Sequence, residues 1–313
     1  MAIKAQVTIL LATFNRAHLI EETLLSIQNQ TFTNFKCYII DDHSTDHTRK
    51  VVEEFCRKDD RFGYFLKPIE YAKGLSATRN FGLDLAKRNP SEFIQFFDDD
   101  DLMHPLKLEI QTKALKKNLK AQFSLCGAKN FKNKSEINFT EIQQKNNPKN
   151  LLLGEAYLIG TIKFVAQVPL FRWSYAKKFA FDEELFYAEE WVLFSMQFLS
   201  NRPTYEMENK VLFYRRKHLE SITEREDIDF SRRKASAITG VKVFEFLNKH
   251  NLHTKVTLFF FARNYLLYRF TSVYIEQIGK DLKDLDRRFY YRFLLAKKFH
   301  VLLRKVILKL LKY

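Results

Sequence analysis

Cysteine is scarce in this sequence, with only Cys37, Cys56 and Cys126 among 313 residues. An odd set without C-x-x-C spacing excludes a disulfide framework and a zinc knuckle, and it fits a reducing, cytoplasmic setting. Long apolar runs are missing as well. No stretch reaches 18 uncharged apolar residues, so no transmembrane helix is expected. The opening MAIKAQVTILLATFN turns polar at Thr13, Asn15 and Arg16, as a first strand does and a signal peptide does not. There is no internal repeat. No nucleic-acid-binding motif occurs, so nucleic acid is not the expected partner. Glycine is absent from LLATFNRAH, residues 10–18, where a phosphate-cradling loop would need it.

What is present reads as a soluble globular protein, since hydrophobic residues make up 46% and charged residues 28%. The length suits one large domain with an appendage, or two domains. Phenylalanine is abundant at 31 residues, which predicts an aromatic-rich core or interface. The formal net charge of +15 points to an anionic partner such as a nucleotide or an anionic membrane surface.

The first hundred residues alternate between strand and helix patterns. QVTILLATF (6–14) is a continuous apolar run, as in a strand buried on both faces. Residues 16–30 place Leu19, Ile20, Thr23, Leu24 and Ile27 at helical spacing. FKCYIIDD (35–42) is a second strand. Residues 44–59 form a helix opened by Ser44, Thr45 and Asp46. RFGYFLK (61–67) and EFIQFF (92–97) are further strands around a helix at 74–88. This alternation predicts an α/β fold with a doubly wound, mostly parallel sheet. Later segments are less regular: a helix from His104, a strand at 121–131, a polar mobile loop at 132–150, and an aromatic helix entered near residue 181. A helical, basic extension follows from about 225.

In open parallel sheets, ligands bind beyond the carboxyl ends of the strands. Polar groups collect there three times: Thr13, Phe14 and Asn15; Asp41 and Asp42; and the run Asp98-Asp99-Asp100-Asp101. Adjacent carboxylates repel and need a counter-charge, and Mg²⁺ or Mn²⁺ with hard oxygen ligands supplies one. Alternation along an extended segment lets Asp98 and Asp100 face one ion. A solvated acidic loop capping the next helix is the other reading, and Asp101 suits it.

On these residues the chain resembles the family 2 glycosyltransferases, inverting enzymes with the GT-A fold. The likeness is carried by VTILLATFNRAHLIEETLLSIQNQTFTNFKCYIIDDHSTDHT, KGLSATRNFGLDLAK, FIQFFDDDDLMHPLKLE, FDEELFYAEEWVLF and FYRRKHLESIT, which lie in the family's order over about residues 5–222. The resemblance implies that Asp98-Asp99-Asp100 is a DxD motif, with Asp100 on the metal and Asp98 on ribose or metal. It implies that Asp42 reads the nucleobase, that Thr13, Phe14 and Asn15 line the nucleoside, and that Arg79 lies near the donor; a helix-surface arginine is the plainer reading of Arg79. The family usually has Asp-Asp-Gly-Ser where this chain has Asp41-Asp42-His43-Ser44, so a positive φ at His43 would be costly. An ordinary permitted conformation is expected there.

An inverting displacement needs a carboxylate to take the acceptor's proton. The family pattern is Glu-Asp; here Glu189-Glu190 stands in its place, and Glu190 is preferred as base over Glu189. Both acids also suit the first turn of a helix. Trp191 is either an acceptor platform or a core residue. His218 either completes the metal shell or lies on an ordinary basic loop, and Arg215 is placed to neutralise phosphate.

The tail, residues 290–313, has seven Lys or Arg and no acids. Wound as a helix, it sets Lys297, Lys298, Arg304, Lys305, Lys309 and Lys312 opposite Phe299, Leu303, Val306, Ile307 and Leu310. That pattern suits a helix lying on an anionic membrane, and equally one packed on the core. The expected organisation is 1–105 for the nucleotide-sugar half, 106–222 for the acceptor half and 223–313 for the helical extension. The expected partners are a nucleotide-sugar, probed first as a UDP-sugar, and a glycan or lipid-linked acceptor of bacterial surface polysaccharide. The expected setting is the cytoplasm, at the inner membrane face. A nucleotidyltransferase and an inactive glycan- or membrane-binding scaffold are the alternatives. The glycine-free first turn counts against the former, and the intact Asp98, Asp100 and Glu190 against the latter.

Overall fold

The structure is a computed structural model that describes residues 5–140, 151–218, 228–268, 277–281, 283 and 286–299. The chain divides into two compact units. The first comprises Met1–Asn147, Phe164–Leu193 and Pro203–Glu226. The second comprises Pro148–Lys163, Phe194–Arg202 and Asp227–Tyr313.

The first unit is built on an eight-stranded sheet of order β3-β2-β1-β4-β7-β6-β8-β5. Strands β1 (Val7–Thr13), β2 (Phe35–Asp41), β3 (Phe62–Leu66) and β4 (Phe93–Asp98) are mutually parallel. Every residue of β1 is buried, as its unbroken apolar run requires. The helices between these strands are α1 (Ile20–Gln28), α2 (Thr48–Lys58) and α3 (Leu75–Arg88). Helix α1 buries Ile20, Thr23, Leu24 and Ile27, four of the five positions its spacing predicts. Helix α3 lies close on the sheet at Gly82, where a Cβ would stand 3.2 Å from Ile40 and 3.5 Å from Leu10.

Beyond β4 the sheet turns mixed. β5 (Leu102–Met103), α4 (Lys107–Lys117), β6 (Phe123–Phe131), β7 (Leu170–Arg172) and β8 (Tyr205–Arg216) complete it. β7 runs antiparallel to both β4 and β6, β8 runs parallel to β6, and β5 runs antiparallel to β8. β5 and β8 were not anticipated from the sequence. β5 has two residues, and β8 begins with Tyr205–Lys210, where Glu206, Glu208, Asn209 and Lys210 are polar and the alternation stops after four residues. The aromatic core is as expected: Phe96 meets Phe171, Phe179 and Phe181, and Phe123 stacks on Tyr175 and Tyr205.

The second unit includes α5 (Leu153–Leu158), α8 (Ile228–Lys249), α9 (Lys255–Tyr268) and α10 (Arg287–Phe299). Its described packing is aromatic, with Tyr157 edge-on to Phe198 and Phe244 edge-on to Phe261. A short helix, α6 (Trp173–Ala176), follows β7, and α7 (Glu189–Asn201) carries the chain from the first unit into the second. The loop expected at 132–150 is described only to residue 140, and it contains a 3-10 turn at Lys134–Glu136. The tail reading falls on residues 300–313 and on side chains from 295 onward, outside the described residues. Among the described residues no helix is long and apolar enough to cross a membrane.

Candidate active site

The parallel strands β1, β2 and β4 end at one edge of the sheet, and the loops after them are knitted together. After β1, Thr13 is buried and Phe14 is 37% exposed, with the Lys73 ammonium 4.7 Å from its ring centre. Asn15 adopts φ 52°, which asparagine tolerates, and this turns its backbone N–H onto Ser44 Oγ (2.9 Å). Its Oδ1 accepts the Thr45 N–H at 2.7 Å. Ser44 and Thr45 therefore tie two loops rather than opening α2. Asp46 serves the helix start, accepting the Thr48 N–H at 2.9 Å. His43 departs from expectation with φ 61°. The turn does need the left-handed conformation that glycine usually fills, and histidine is among the residues enriched there.

Asp41 and Asp42 diverge. Asp41 accepts Ser44 N–H, Ser44 Oγ–H and Tyr64 O–H, all within 2.8 Å, and so braces the loop. Asp42 accepts the Gly74 N–H at 2.7 Å and pairs with Lys67 Nζ at 2.5 Å. Gly74 sits at φ 119°, which only glycine adopts freely, and it ends the loop that leads into α3. Lys67, 1% exposed, also donates to the Ala72 carbonyl at 2.6 Å. Sequence reasoning missed Lys67; an isolated lysine at a strand end gives no signal.

The aspartate quartet splits by parity. Asp99 and Asp101 face inward and hold loops. Asp99 accepts the Phe14 N–H at 3.1 Å and lies 3.5 Å from Arg16 Nε. Asp101 accepts the Arg216 N–H at 2.8 Å. Their backbone carbonyls both receive the Thr23 hydroxyl at 2.9 Å. Asp98 and Asp100 point elsewhere. Asp98 Oδ1 meets Arg79 Nη2 at 3.0 Å, and its Oδ2 accepts from Gln167 Nε2. Asp100 Oδ2 lies 2.9 Å from His218 Nε2. Arg216 holds the Asp100 backbone in place. Its Nε donates to the Asp100 carbonyl at 2.9 Å, its Nη2 reaches Glu22 at 2.5 Å, and its guanidinium lies over Phe131. Sequence reasoning missed Arg216, whose backbone N–H and guanidinium pin the quartet to β8.

Charge is incompletely balanced here. Burial raises the Asp98 carboxyl above its ordinary range, Arg79 pulls it down and Asp100 raises it again. Burial and the Asp100 charge push Asp99 to about 8. The same two causes raise Asp101 strongly.

Arg79 joins the quartet to α7. It is 2% exposed, and its Nη1 donates to Glu189 Oε1 at 2.8 Å while Nη2 holds Asp98. It is no surface arginine. Glu189 is thereby committed to an ion pair. Glu190, half-buried, accepts a hydrogen bond from the Ala166 N–H at 2.7 Å. Burial and the neighbouring Glu189 charge push its carboxyl up to about 7. Ala188, immediately before the pair, has φ 56°, a left-handed conformation that alanine rarely takes. Trp191 is half-buried. Among the described residues no three His, Cys, Asp or Glu side chains form a ready-made metal cage.

A mixed sheet whose parallel strands end in paired acids, a buried arginine and an under-neutralised aspartate run has the architecture of the GT-A fold. The sequence profile of Glycosyl transferase family 2 matches residues 8–170, more than half of the chain, and the chain belongs to that family. A Campylobacter jejuni GalNAc(5)-diNAcBac-PP-undecaprenol beta-1,3-glucosyltransferase is 41% identical over 96 residues, 31% of this chain and 30% of that protein. The chain thus spans less than a third of that relative. In fold it is similar to S. aureus TarS 1-349 in complex with UDP-GlcNAc, with TM-score 0.61, 19% identity, and 95% of this chain and 88% of that one covered. It is also similar to the Pyrobaculum calidifontis mannosyltransferase PcManGT in complex with GDP-Man and Mn²⁺, with TM-score 0.54, 15% identity, and 96% and 86% covered.

Proposed function

We propose that this enzyme transfers a sugar, with inversion, from a UDP-sugar to a hydroxyl of a lipid-linked glycan in the assembly of a bacterial surface polysaccharide. The observation that carries this reading is the Arg79 bridge, which sets the end of β4 and the start of α7 in one site. The donor lies over the loops after β1 and β2, with its uracil against the exposed Phe14 ring beneath Lys73 and its ribose near Asp98. Asp42, steadied by Lys67 and Gly74, lines the base side.

The residues fit a hard divalent cation, Mn²⁺ or Mg²⁺. Asp100 and His218 supply an oxygen and a nitrogen side by side, and the surrounding carboxylates lack a full counter-charge. Two protein ligands are what such an ion takes when a diphosphate provides the rest. Asp98 already spends both oxygens on Arg79 and Gln167, so its contribution is to orient Arg79 and contact the donor. When bound, the cation offsets the negative charge that develops on the leaving diphosphate.

Glu190 is the base. Glu189 is neutralised by Arg79, whereas Glu190 keeps a carboxylate whose affinity for a proton suits abstraction near neutral pH. Glu190 takes the acceptor hydroxyl's proton as the new oxygen–C1 bond forms. The bond from C1 to the phosphate oxygen breaks, and its electron pair leaves with UDP. The test is a melting panel of UDP, GDP, CDP and dTDP with and without Mn²⁺, followed by transfer from UDP-glucose and UDP-GlcNAc to a polyprenyl-diphosphate glycan. Manganese-dependent stabilisation by UDP and transfer from a UDP-sugar are expected. Stabilisation by another nucleotide alone would replace the donor, and none by any nucleotide would sink the reading.

A further inference from the structure

The segment just before β7 holds both carboxylates of the proposed chemistry. The Ala166 N–H donates to Glu190 Oε2 at 2.7 Å, and the next residue, Gln167, donates its side-chain N–H to Asp98 Oδ2. Ala166 is fully buried and Gln167 is 3% exposed. The amide orientation is set by chemistry, because a carbonyl oxygen facing a carboxylate would be repelled. Turning the NH₂ toward Asp98 leaves Gln167 Oε1 buried and without a hydrogen-bond partner. Leaving a buried acceptor unsatisfied is costly, so the retained contact is the one to Asp98.

The pair is also held from behind. Gln95 Nε2 donates to the Gln167 carbonyl at 2.9 Å, and Lys107 Nζ and Gln111 Nε2 each donate to the Val168 carbonyl at 3.1 Å. Lys107 Nζ further links Gln95 Oε1 (2.6 Å) and Gln111 Oε1 (2.5 Å). Gln95, Lys107 and Gln111 are each fully buried. A polar cluster of this kind stabilises less than an apolar core of the same volume, but it fixes one arrangement of the backbone that it grips.

We propose that Ala166–Gln167 is a positioning element that sets Asp98 and Glu190 at a fixed separation, with its register imposed by the Gln95–Lys107–Gln111 cluster. This rests on the reading of Asp98 as a donor-side acid and Glu190 as the base. Gln167 touches no reacting atom. It acts through Asp98, and a displacement of about 1 Å in such a site costs on the order of a hundredfold in rate.

The test uses Gln167→Met, which keeps the volume and removes the amide, and Gln167→Asn, which withdraws the amide by one methylene. Melting temperature, UDP affinity, kcat and acceptor KM are measured on the same preparations. Both variants are expected to melt within a few degrees of wild type, to lose kcat by about 10- to 100-fold, and to keep acceptor KM within about threefold. Unchanged kcat per folded molecule in either variant overturns the inference, and so does failure of both to fold, which would make the role purely structural. Wild-type protein that neither binds UDP nor transfers sugar would sink the functional reading. Active wild type with equally active variants sinks this inference alone.

Discussion

The loops after β1 and β2 and the quartet beside α7 lie along the same sheet edge but treat their acids differently. In the first region each carboxylate is already satisfied. Asp41 has three donors, Asp42 has an ammonium and a backbone N–H, and Asp46 accepts from the Thr48 N–H and the Ala17 N–H. In the second, Asp98, Asp99, Asp101 and Glu190 are all raised by burial and then by a neighbouring carboxylate, Asp100 for the three aspartates and Glu189 for Glu190, with Arg79 the main opposing charge for Asp98 and Glu190. A region with balanced charge holds its shape before any ligand arrives. A region with surplus buried negative charge is poised for cationic or proton-bearing substrates, because their arrival removes the repulsion.

The difference can be broken from either side. Glu190→Gln removes the proposed proton acceptor while leaving the proposed donor loops untouched. Transfer should fall roughly 10²- to 10⁴-fold with UDP affinity retained. The same loss in Glu189→Gln alone would move the base to that residue. On the balanced side, Lys67→Met strands the buried Asp42 carboxylate and should destabilise the fold by about 3–5 kcal/mol in urea unfolding. A cost near zero would mean that Asp42 rotates into solvent.

Asp100→Asn and His218→Ala should each abolish the extra melting-temperature gain that Mn²⁺ adds to UDP while sparing the unliganded melting temperature. Retained manganese dependence in both would remove the cation from this pair. The pH profile sharpens the contrast. The proposed base Glu190 acts in its ionised form, and burial and the Glu189 charge push its carboxyl up to about 7, so kcat/KM should fall about tenfold per unit as pH drops below 7 and level off above it. An acid limb at 4–5 would show a solvated carboxylate instead. The smallest effect is expected from Phe14→Ala, with UDP affinity weakened about tenfold and kcat unchanged, as the loss of one stacking face predicts.

Much of this was legible in the residues. The four parallel strands and their helices follow from apolar runs and helical spacing, and the sheet edge follows from where those runs stop. The quartet stands out because four acids end an apolar run, whereas Arg79, Glu189, Glu190 and His218 are singled out through the resemblance to the family 2 glycosyltransferases. Gln167, Lys67, Lys107 and Arg216 stand out in neither way. Each is an ordinary polar residue whose role depends on partners tens of residues away: Gln167 on Asp98, Arg216 on Asp100 and Asp101. The short strand β5 and the polar start of β8 were equally hidden, since their pairing partners rather than their own periodicity define them.

The layered α/β architecture, the sheet edge where the acids collect and the residue types gathered there follow from the sequence alone, because burial and periodicity are local properties of the chain. Only the tertiary structure decided how the four aspartates divide. Asp99 and Asp101 became braces because the β1 loop and β8 bring N–H donors to them. Asp98 and Asp100 were left to Arg79, Gln167 and His218 because those side chains arrive from α3, the approach to β7 and the end of β8. Which carboxylate is neutralised and which keeps its proton affinity depends on distances across the fold, and no spacing along the chain encodes them.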